Sequence, residues 1–277
     1  MLVYVDDILI TSTHPVIIST IINKLQQEFP LKDLGPLSFF LGIQVTRTAS
    51  GLHLCQTKYI LKLLSKAHMV DSKPSKSPCA SGSKLSRYEG EPLTDPTVYR
   101  QIVGALQYCT LTRPDIAYSV NQLCQHMHAP TSAHWIVAKR VLRYLNGSSN
   151  HGLYYTKSNL QVNAFCDSDW AGCPDDRRST TGFAVFLGDR LIAWSAKKQA
   201  VISRSSTEAE YRALSLTTAE LFWIRMLFKE IGIFLKVPSR SMVAGVLTKG
   251  LSSSRFLSLK SKLMVVPPPI SLREGVS

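Results

Sequence analysis

The sequence lacks paired cysteines, long apolar runs and, between Glu230 and Glu274, any acidic side chain. Its six cysteines form no Cys-x-x-Cys pair, which argues against a zinc site or disulfide framework and favours free thiols in a reducing compartment. The most apolar stretch, residues 221–228, is interrupted by Arg225 and is too short to span a bilayer. No basic leader precedes the first apolar run, so we expect an intracellular protein, cytoplasmic or nuclear, that is neither secreted nor membrane-bound.

Basic residues are in excess throughout the chain. The 277 residues include 32 Lys and Arg against 19 Asp and Glu, a formal net charge of +13. Residues 1–150 hold 15 basic and 9 acidic groups, net +6, and residues 151–277 hold 17 and 10, net +7. This spread favours a polyanionic partner such as nucleic acid, although a merely basic soluble protein explains the charge equally well.

The most informative stretch runs from residue 162 to residue 211. Residues 162–172 alternate like a strand that places Asp167 and Asp169 on one face. Two short apolar runs joined near Gly188 predict a hairpin, and the capping-box spacing of Ser205 and Glu208 predicts the start of a long helix. The core stripe expected for that helix is Leu214, Thr217, Leu221, Ile224, Phe228 and Ile231.

Four segments in this stretch occur in a characteristic order. They are CDSDWAG (166–172), DRRSTTGF (176–183), WSAKKQ (194–199) and SSTEAEY (205–211). Together they resemble the ribonuclease H domain of copia-type long-terminal-repeat retrotransposon Pol polyproteins, whereas a lone Asp-x-Asp would indicate only an α/β domain with surface acids. The resemblance implies that Asp167 and Glu210 match two of the carboxylates that hold Mg²⁺ for cleavage of the RNA strand of RNA–DNA hybrids.

The first apolar run, LVYVDDILI (2–10), has two acids at its centre. Its flanks predict a buried hairpin that turns at Asp6–Asp7, and an acid pair in such a turn is common. The run resembles the YxDD hairpin of reverse transcriptases. By that resemblance Asp6 is a metal ligand for Mg²⁺ and Asp7 is its less critical neighbour.

These patterns predict an α/β (α+β) fold with a partial reverse-transcriptase palm hairpin, a helical thumb and connection, and an incomplete ribonuclease H-like mixed sheet with a long helix. The expected segments are a partial palm and thumb (1–70), a linker or extended excursion (71–97), a helical connection (98–157), the ribonuclease H-like domain (158–264) and a disordered tail (265–277).

Several cations are candidates for phosphate contacts with non-specifically bound RNA–DNA hybrid or DNA. The candidates are Lys139, Arg140, Arg143, Arg177, Arg178, Lys197 and Lys198. The first three lie off the apolar stripe predicted for a helix that starts near Thr131, and a solvated basic face explains them equally well.

The chain departs from the family pattern in both catalytic regions. The polymerase match lacks the earlier palm strand, which carries another catalytic Asp in the family. In the final family motif, Ala-Asp-x-x-Thr-Lys, the chain reads 244–249 with Gly245 in place of the Asp. Roughly sixty family residues that carry the third carboxylate are also missing, so we expect a truncated, internally deleted copy.

The missing carboxylates predict that this copy neither synthesises DNA nor cleaves hybrids, and that Mg²⁺ binds weakly if at all. The same deletion is expected to expose the helix face around Leu214, Leu221 and Phe228. Three alternatives stay open: residual ribonuclease H activity, a non-catalytic nucleic-acid binder, and a decayed reading frame whose product does not fold stably. The sequence leaves the oligomeric state open.

Overall fold

The computed structural model describes residues 1–235, 252–263 and 265–267. The helices are α1 (Pro15–Glu28), α2 (Thr57–Lys66), α3 (Thr97–Cys109), α4 (Ala117–Cys124), α5 (Ser132–Asn146), α6 (Ser206–Glu230) and α7 (Ser253–Lys262). The strands are β1 (Leu2–Tyr4), β2 (Asp7–Leu9), β3 (Phe39–Phe40), β4 (Ile43–Arg47), β5 (Gly51–Cys55), β6 (Gly152–Thr156), β7 (Val162–Asp169), β8 (Thr180–Leu187), β9 (Arg190–Lys198) and β10 (Val265–Val266). The predicted α/β class is confirmed, and no helix within the described ranges is long and apolar enough to cross a membrane.

The N-terminal hairpin is exposed rather than buried as predicted, and it turns one residue earlier than predicted. Tyr4 pairs with Asp7, so the turn residues are Val5 and Asp6 rather than Asp6 and Asp7. Val5 adopts a left-handed φ of 48°, a conformation that β-branched residues rarely take. This backbone conformation closes the turn early and places Asp7 in strand β2.

A five-stranded antiparallel sheet joins distant parts of the chain in the order β10-β6-β5-β4-β3. Strand β6 pairs with β5 from Gly51 opposite Thr156 to Cys55 opposite Gly152. The segments predicted as polymerase remnant and helical connection therefore share one sheet. The tail predicted to be disordered starts at Val265, but Val265–Val266 form β10 beside β6, and residues 268–277 lie outside the described ones.

Helices α2 to α5 enclose the main hydrophobic core. The predicted stripe of α5 is confirmed, since Ala138, Val141, Leu142 and Leu145 are all fully buried. The core continues onto one face of the β7-β8-β9 sheet through alternate residues of β8, including Ala184 and Phe186. Helices and sheet thus form one packed unit on this side.

The opposite face of the three-stranded sheet packs against α6. Val185, between the two β8 residues of the main core, instead joins Val162 of β7 and Ile224 of α6. This alternation follows from the period of two along a strand. The sheet is therefore covered on both faces.

The inward stripe of α6 matches the predicted one at Thr217 and Ile224 and is otherwise shifted toward Ala209 and Ala213. Ala209, Ala213, Thr217 and Ile224 are its buried residues, whereas Leu214 is 50% exposed. Small side chains let the helix backbone approach β7 closely, and this turns Leu214 away from the sheet. The predicted positions Leu221 and Phe228 stay half-buried against the sheet, while Ile231 is also exposed.

The outer face of α6 carries large apolar side chains. Phe222, Trp223 and Met226 are 61%, 59% and 62% exposed. Exposure was also expected for Leu214, Leu221 and Phe228, and of these only Leu214 is exposed. Apolar exposure on this scale is typical of a surface that binds another molecule.

Residues 71–97 run across the helices as an extended excursion. They contain no helix before Thr97, and Leu85 is nevertheless buried in the main core. Ser86 Oγ donates to Asp175 Oδ1 at 2.6 Å, and the Arg87 backbone N–H donates to Asp175 Oδ2 at 3.0 Å. The excursion therefore ties the helical region to the loop between β7 and β8.

A buried ion pair lies where the helical core meets the five-stranded sheet. Arg113 donates from Nε and Nη2 to the two oxygens of Asp115 at 3.0 and 2.8 Å, with both side chains fully buried. Arg113 also donates to the carbonyl and hydroxyl oxygens of Ser148 at 2.6 and 2.8 Å. The Tyr144 hydroxyl donates to Asp115, and Lys260 Nζ of α7 lies 3.6 Å from Asp115 Oδ2.

Burial alone would raise the pKa of Asp115, but the charge and hydrogen bonds of Arg113, with Lys260 and Tyr144, lower it below its usual value. A buried pair of this kind is costly to break from one side, because the remaining charge keeps its desolvation penalty. The pair therefore makes the junction of α4, α5 and α7 sensitive to a single substitution.

Removing the Asp115 carboxylate is expected to destabilise the fold. Asp115→Ala leaves Arg113 charged and buried, and we expect a loss of about 3–5 kcal/mol in the free energy of unfolding. Urea unfolding measures this loss, with Asp71→Ala, at an exposed aspartate, as the matched control.

The stabilisation by Asp115 also depends on pH. Because its folded-state pKa lies below the unfolded value of about 3.9, the stabilisation is present above about pH 3.9 and is lost as the pH falls through the folded-state pKa. Equal stability of the two variants would contradict the assignment.

Candidate carboxylate site and nucleic-acid interface

Two predicted carboxylates lie on neighbouring elements, β7 and α6, which pack together through Val162 and Ile224. Asp167 lies near the end of β7, and Glu210 lies in the first turns of α6, whose N-cap Ser205 accepts from the Glu208 N–H at 3.1 Å. Burial raises the pKa of the Cys166 thiol, and the charges of Glu210 and Asp167 raise it further. Both carboxylates are therefore within electrostatic reach of one thiol.

Asp169 has a different environment from Asp167. Its Oδ1 accepts a hydrogen bond from the Thr180 backbone N–H across the start of β8. Burial raises the pKa of Asp169, while the Thr180 N–H opposes that shift. A Cβ on Gly172 would collide with this carboxylate, so a glycine is needed there. Asp169 thus closes the connection between β7 and β8.

The described residues provide few metal ligands. Across residues 1–235, 252–263 and 265–267, no group of three or more His, Cys, Asp or Glu side chains could hold a metal ion. Two carboxylates suit a single Mg²⁺ that keeps several waters, whereas a two-metal centre needs more of them. Gly245, at the position of the family's last Asp, and the motif around it lie outside the described residues.

The predicted polymerase acids lie apart on the N-terminal hairpin. Asp6 is in the turn, Asp7 begins β2, and both side chains are exposed. The hairpin forms a separate two-stranded sheet. Within the described chain the structure therefore gives Asp6 and Asp7 no further ligand with which to build a metal centre.

Three of the seven predicted phosphate-contacting cations are exposed. They are Lys139 on α5, Arg177 in the β7–β8 loop and Lys197 on β9. The Lys139 ammonium lies 5.4 Å from the ring centroid of Trp135. Their side chains are accessible to a polyanion.

The other four cations are partly buried, and three of them have intramolecular partners. Lys198 Nζ lies 2.8 Å from Asp176 Oδ2 and 3.0 Å from Cys173 Sγ, and Arg178 Nε lies 3.7 Å from the same Asp176 oxygen. Arg140 Nη2 donates to Ser77 Oγ at 3.0 Å. Arg143 is half-buried on α5.

The chain is similar in sequence to reverse transcriptases and to retrotransposon proteins. Residues 1–81 match a family described as reverse transcriptase (RNA-dependent DNA polymerase). The chain is 52% identical over 239 residues to the retrovirus-related Pol polyprotein from transposon RE1 of Arabidopsis thaliana, covering 86% of this chain and 16% of that polyprotein. It is 54% identical over 228 residues to an uncharacterized mitochondrial protein of the same plant, covering 80% of this chain and 93% of the relative.

A putative transposon Ty5-1 protein of Saccharomyces cerevisiae is 34% identical over 223 residues, which cover 79% of this chain and 72% of the relative. The chain belongs to the copia-type retrotransposon Pol family. This Pol-family chain spans about a sixth of the RE1 polyprotein, 16% of its length. No solved structure matches it.

Sequence reasoning missed a buried glutamine in this Pol-family chain. Gln199 ends the WSAKKQ segment and is only 6% exposed. Its side-chain amide contacts hydroxyl or carbonyl oxygens on β7, β8 and α6. A single buried amide does not alter the hydrophobic periodicity of a sequence. The position of Gln199 in the WSAKKQ motif was therefore the available sign that this residue matters.

The contact between Asp169 and Gly172 predicts a coupled effect of mutation. Gly172→Ala forces Asp169 away from the Thr180 N–H, leaving that buried donor unsatisfied, and we expect a loss of roughly 1–3 kcal/mol in unfolding free energy. In an Asp169→Ala background the same change is expected to cost far less, because the obstructed side chain is gone. Urea unfolding of the four proteins in the cycle measures the coupling. Additive effects would show that the two residues do not interact.

Proposed function

We propose that this Pol-family chain binds RNA–DNA hybrid or DNA without sequence preference, and that it neither extends primers nor cleaves hybrids. The observation that carries the proposal is the ligand count. Asp167 and Glu210 both raise the pKa of the Cys166 thiol, and the described residues form no group of three or more His, Cys, Asp or Glu that could hold a metal ion. In sequence, no acid lies between Glu230 and Glu274 to supply one from that stretch.

The binding half of the proposal rests on charge and exposure. The net charge of +13 is shared by both halves of the chain, and Lys139, Arg177 and Lys197 have exposed side chains. Cations that contact phosphates release condensed counterions, which produces affinity without base recognition. Trp170, 53% exposed beside the carboxylate strand, adds a surface on which an unpaired base could stack.

The catalytic half rests on what two carboxylates can hold. Asp167 and Glu210 would hold at most one Mg²⁺, which keeps most of its waters because so few protein oxygens replace them. A bound Mg²⁺ would polarise a phosphate oxygen. Asp169 is engaged with the Thr180 N–H and is not free to turn toward such an ion without giving up that bond.

A second candidate function is residual ribonuclease H activity. The observation that favours it is that Asp167 and Glu210 lie on packed neighbours, β7 and α6, and that both raise the pKa of the Cys166 thiol. Loss of one well-placed electrostatic contact already lowers the rates of enzymes by about 10²–10³. We therefore rank this activity below binding.

Neutralising the exposed cations is expected to weaken nucleic-acid binding. In the triple variant Lys139→Gln, Arg177→Gln, Lys197→Gln, fewer counterions are released, and the slope of log K against log salt falls by about 2–3. Fluorescence anisotropy with a labelled hybrid at several salt concentrations measures the slope. The matched control neutralises Lys24, Lys32 and Lys66, which are exposed elsewhere and change the net charge equally. An equal fall in slope for both triple variants would show that Lys139, Arg177 and Lys197 form no specific phosphate-binding surface. An affinity that does not change with salt would reject binding through phosphate contacts.

The second expectation of this proposal concerns chemistry. With Mg²⁺ or Mn²⁺ the folded chain is expected to give neither primer extension on an RNA template nor cleavage of a labelled RNA strand in a hybrid. A circular-dichroism melt confirms folding before either assay. Extension abolished by Asp6→Asn, or Mg²⁺-dependent cleavage abolished by Asp167→Asn, would overturn the corresponding half of the proposal.

A further inference from the structure

The side chain of Gln199 touches three elements that surround the two carboxylates. Nε2 lies 3.2 Å from Ser168 Oγ of β7, 3.0 Å from Thr181 Oγ1 of β8 and 3.1 Å from the Ala209 carbonyl oxygen of α6. Oε1 accepts from Ser203 Oγ at 2.8 Å. The amide thus has partners at both ends, and its two N–H donors serve three acceptors.

Two of those contacts fall beside the site. Ser168 lies between Asp167 and Asp169, and Ala209 immediately precedes Glu210. The backbone N–H of Gln199 also donates to the Ser179 carbonyl at 2.8 Å, which anchors the bridging residue to the sheet. A single side chain therefore links the strand that carries one carboxylate to the helix that carries the other.

Besides these bonds, α6 contacts β7 through the Thr217 hydroxyl and the Cys166 thiol and through apolar side chains. Ala209 and Ala213 are fully buried there, and small apolar side chains resist sliding or rotation weakly because hydrophobic contact has no preferred direction. Hydrogen bonds do have a preferred direction. A shift of one residue along an α-helix turns a side chain by about 100°, which would carry Glu210 away from Asp167.

We propose that Gln199 is a positioning residue that fixes the separation of Asp167 and Glu210 by bridging Ser168 and Ala209. The proposal rests on the single-cation site proposed above. Gln199 acts through the segments of β7 and α6 that carry the two carboxylates, by way of Ser168 and Ala209. A neutral amide performs this role without adding a charge to an already acidic site.

The test compares Gln199→Met with Gln56→Met. Methionine keeps the length of the side chain and removes its hydrogen bonds. Gln56 is a matched control because it is also fully buried, donating to the Tyr108 carbonyl at 3.4 Å and accepting from Thr112 Oγ1 at 2.9 Å, remote in sequence from both carboxylates. A milder variant, Ser168→Ala, removes only the β7 contact and covers the case in which Gln199→Met does not fold.

Two measurements follow. Hydrogen exchange is expected to speed up in peptides covering 165–170 and 206–213 in Gln199→Met, and not in Gln56→Met. Mn²⁺ titration by electron paramagnetic resonance is expected to show Kd raised about 10–100-fold in Gln199→Met, a range typical of lost contacts behind metal ligands. Ser168→Ala is expected to raise Kd by a smaller factor, and Gln56→Met to leave it unchanged.

The possible outcomes distinguish failure of the Gln199 positioning role from failure of the cation site at Asp167 and Glu210. Binding of Mn²⁺ that depends on Asp167 but is unaffected by Gln199→Met and Ser168→Ala would overturn the positioning role and leave the cation site standing. Binding that is absent, or unaffected by Asp167→Asn, would contradict the cation site itself. The exchange measurement would then decide alone whether Gln199 holds β7 and α6 together, and unchanged exchange would overturn that as well.

Discussion

The ion pair between Arg113 and Asp115 is the constraint on which the packing of this molecule depends. It is inaccessible to solvent, and Ser148, Tyr144 and Lys260 provide further polar partners for its two side chains. These partners come from the end of α5 and from α7, so the last helix is held by the same charges that fix the start of α4. A buried pair is tolerated only when such partners surround it. The pair thus connects the start of α4 to the end of α5 and to α7.

The β7-β8-β9 sheet packs against these helices on one face and against α6 on the other. One face of β8 belongs to the helical core and the other to the contact with α6. The excursion reaches the same sheet through Ser86 and Asp175. Asp167 and Glu210 therefore sit at the edge of a layer that is packed on both sides, and their surroundings are determined by elements distant in sequence.

The sequence predicted local structure around the site well. Strand β7, the β8–β9 hairpin and the Ser205 cap of α6 are all confirmed, because alternation, turn residues and capping boxes are local signals. The predicted inward stripe of α6 was wrong at Leu214, which is exposed. A stripe chosen for large apolar residues overlooks the close packing of Ala209 and Ala213. The contacts of Gln199 and of the Arg113–Asp115 pair could not be predicted, because the partners of a buried polar side chain come from other segments.

The pairing of β5 with β6 has a consequence for how the chain is made. Gly51 faces Thr156, so strand β5 leaves the ribosome long before the strand that completes its hydrogen bonds. Until then β5 presents an unpaired edge, and chains rich in such distant contacts fold slowly and are prone to aggregate. During synthesis, therefore, the unpaired edge of β5 is accessible to a chaperone for an interval, whereas in the finished fold this edge is covered by β6.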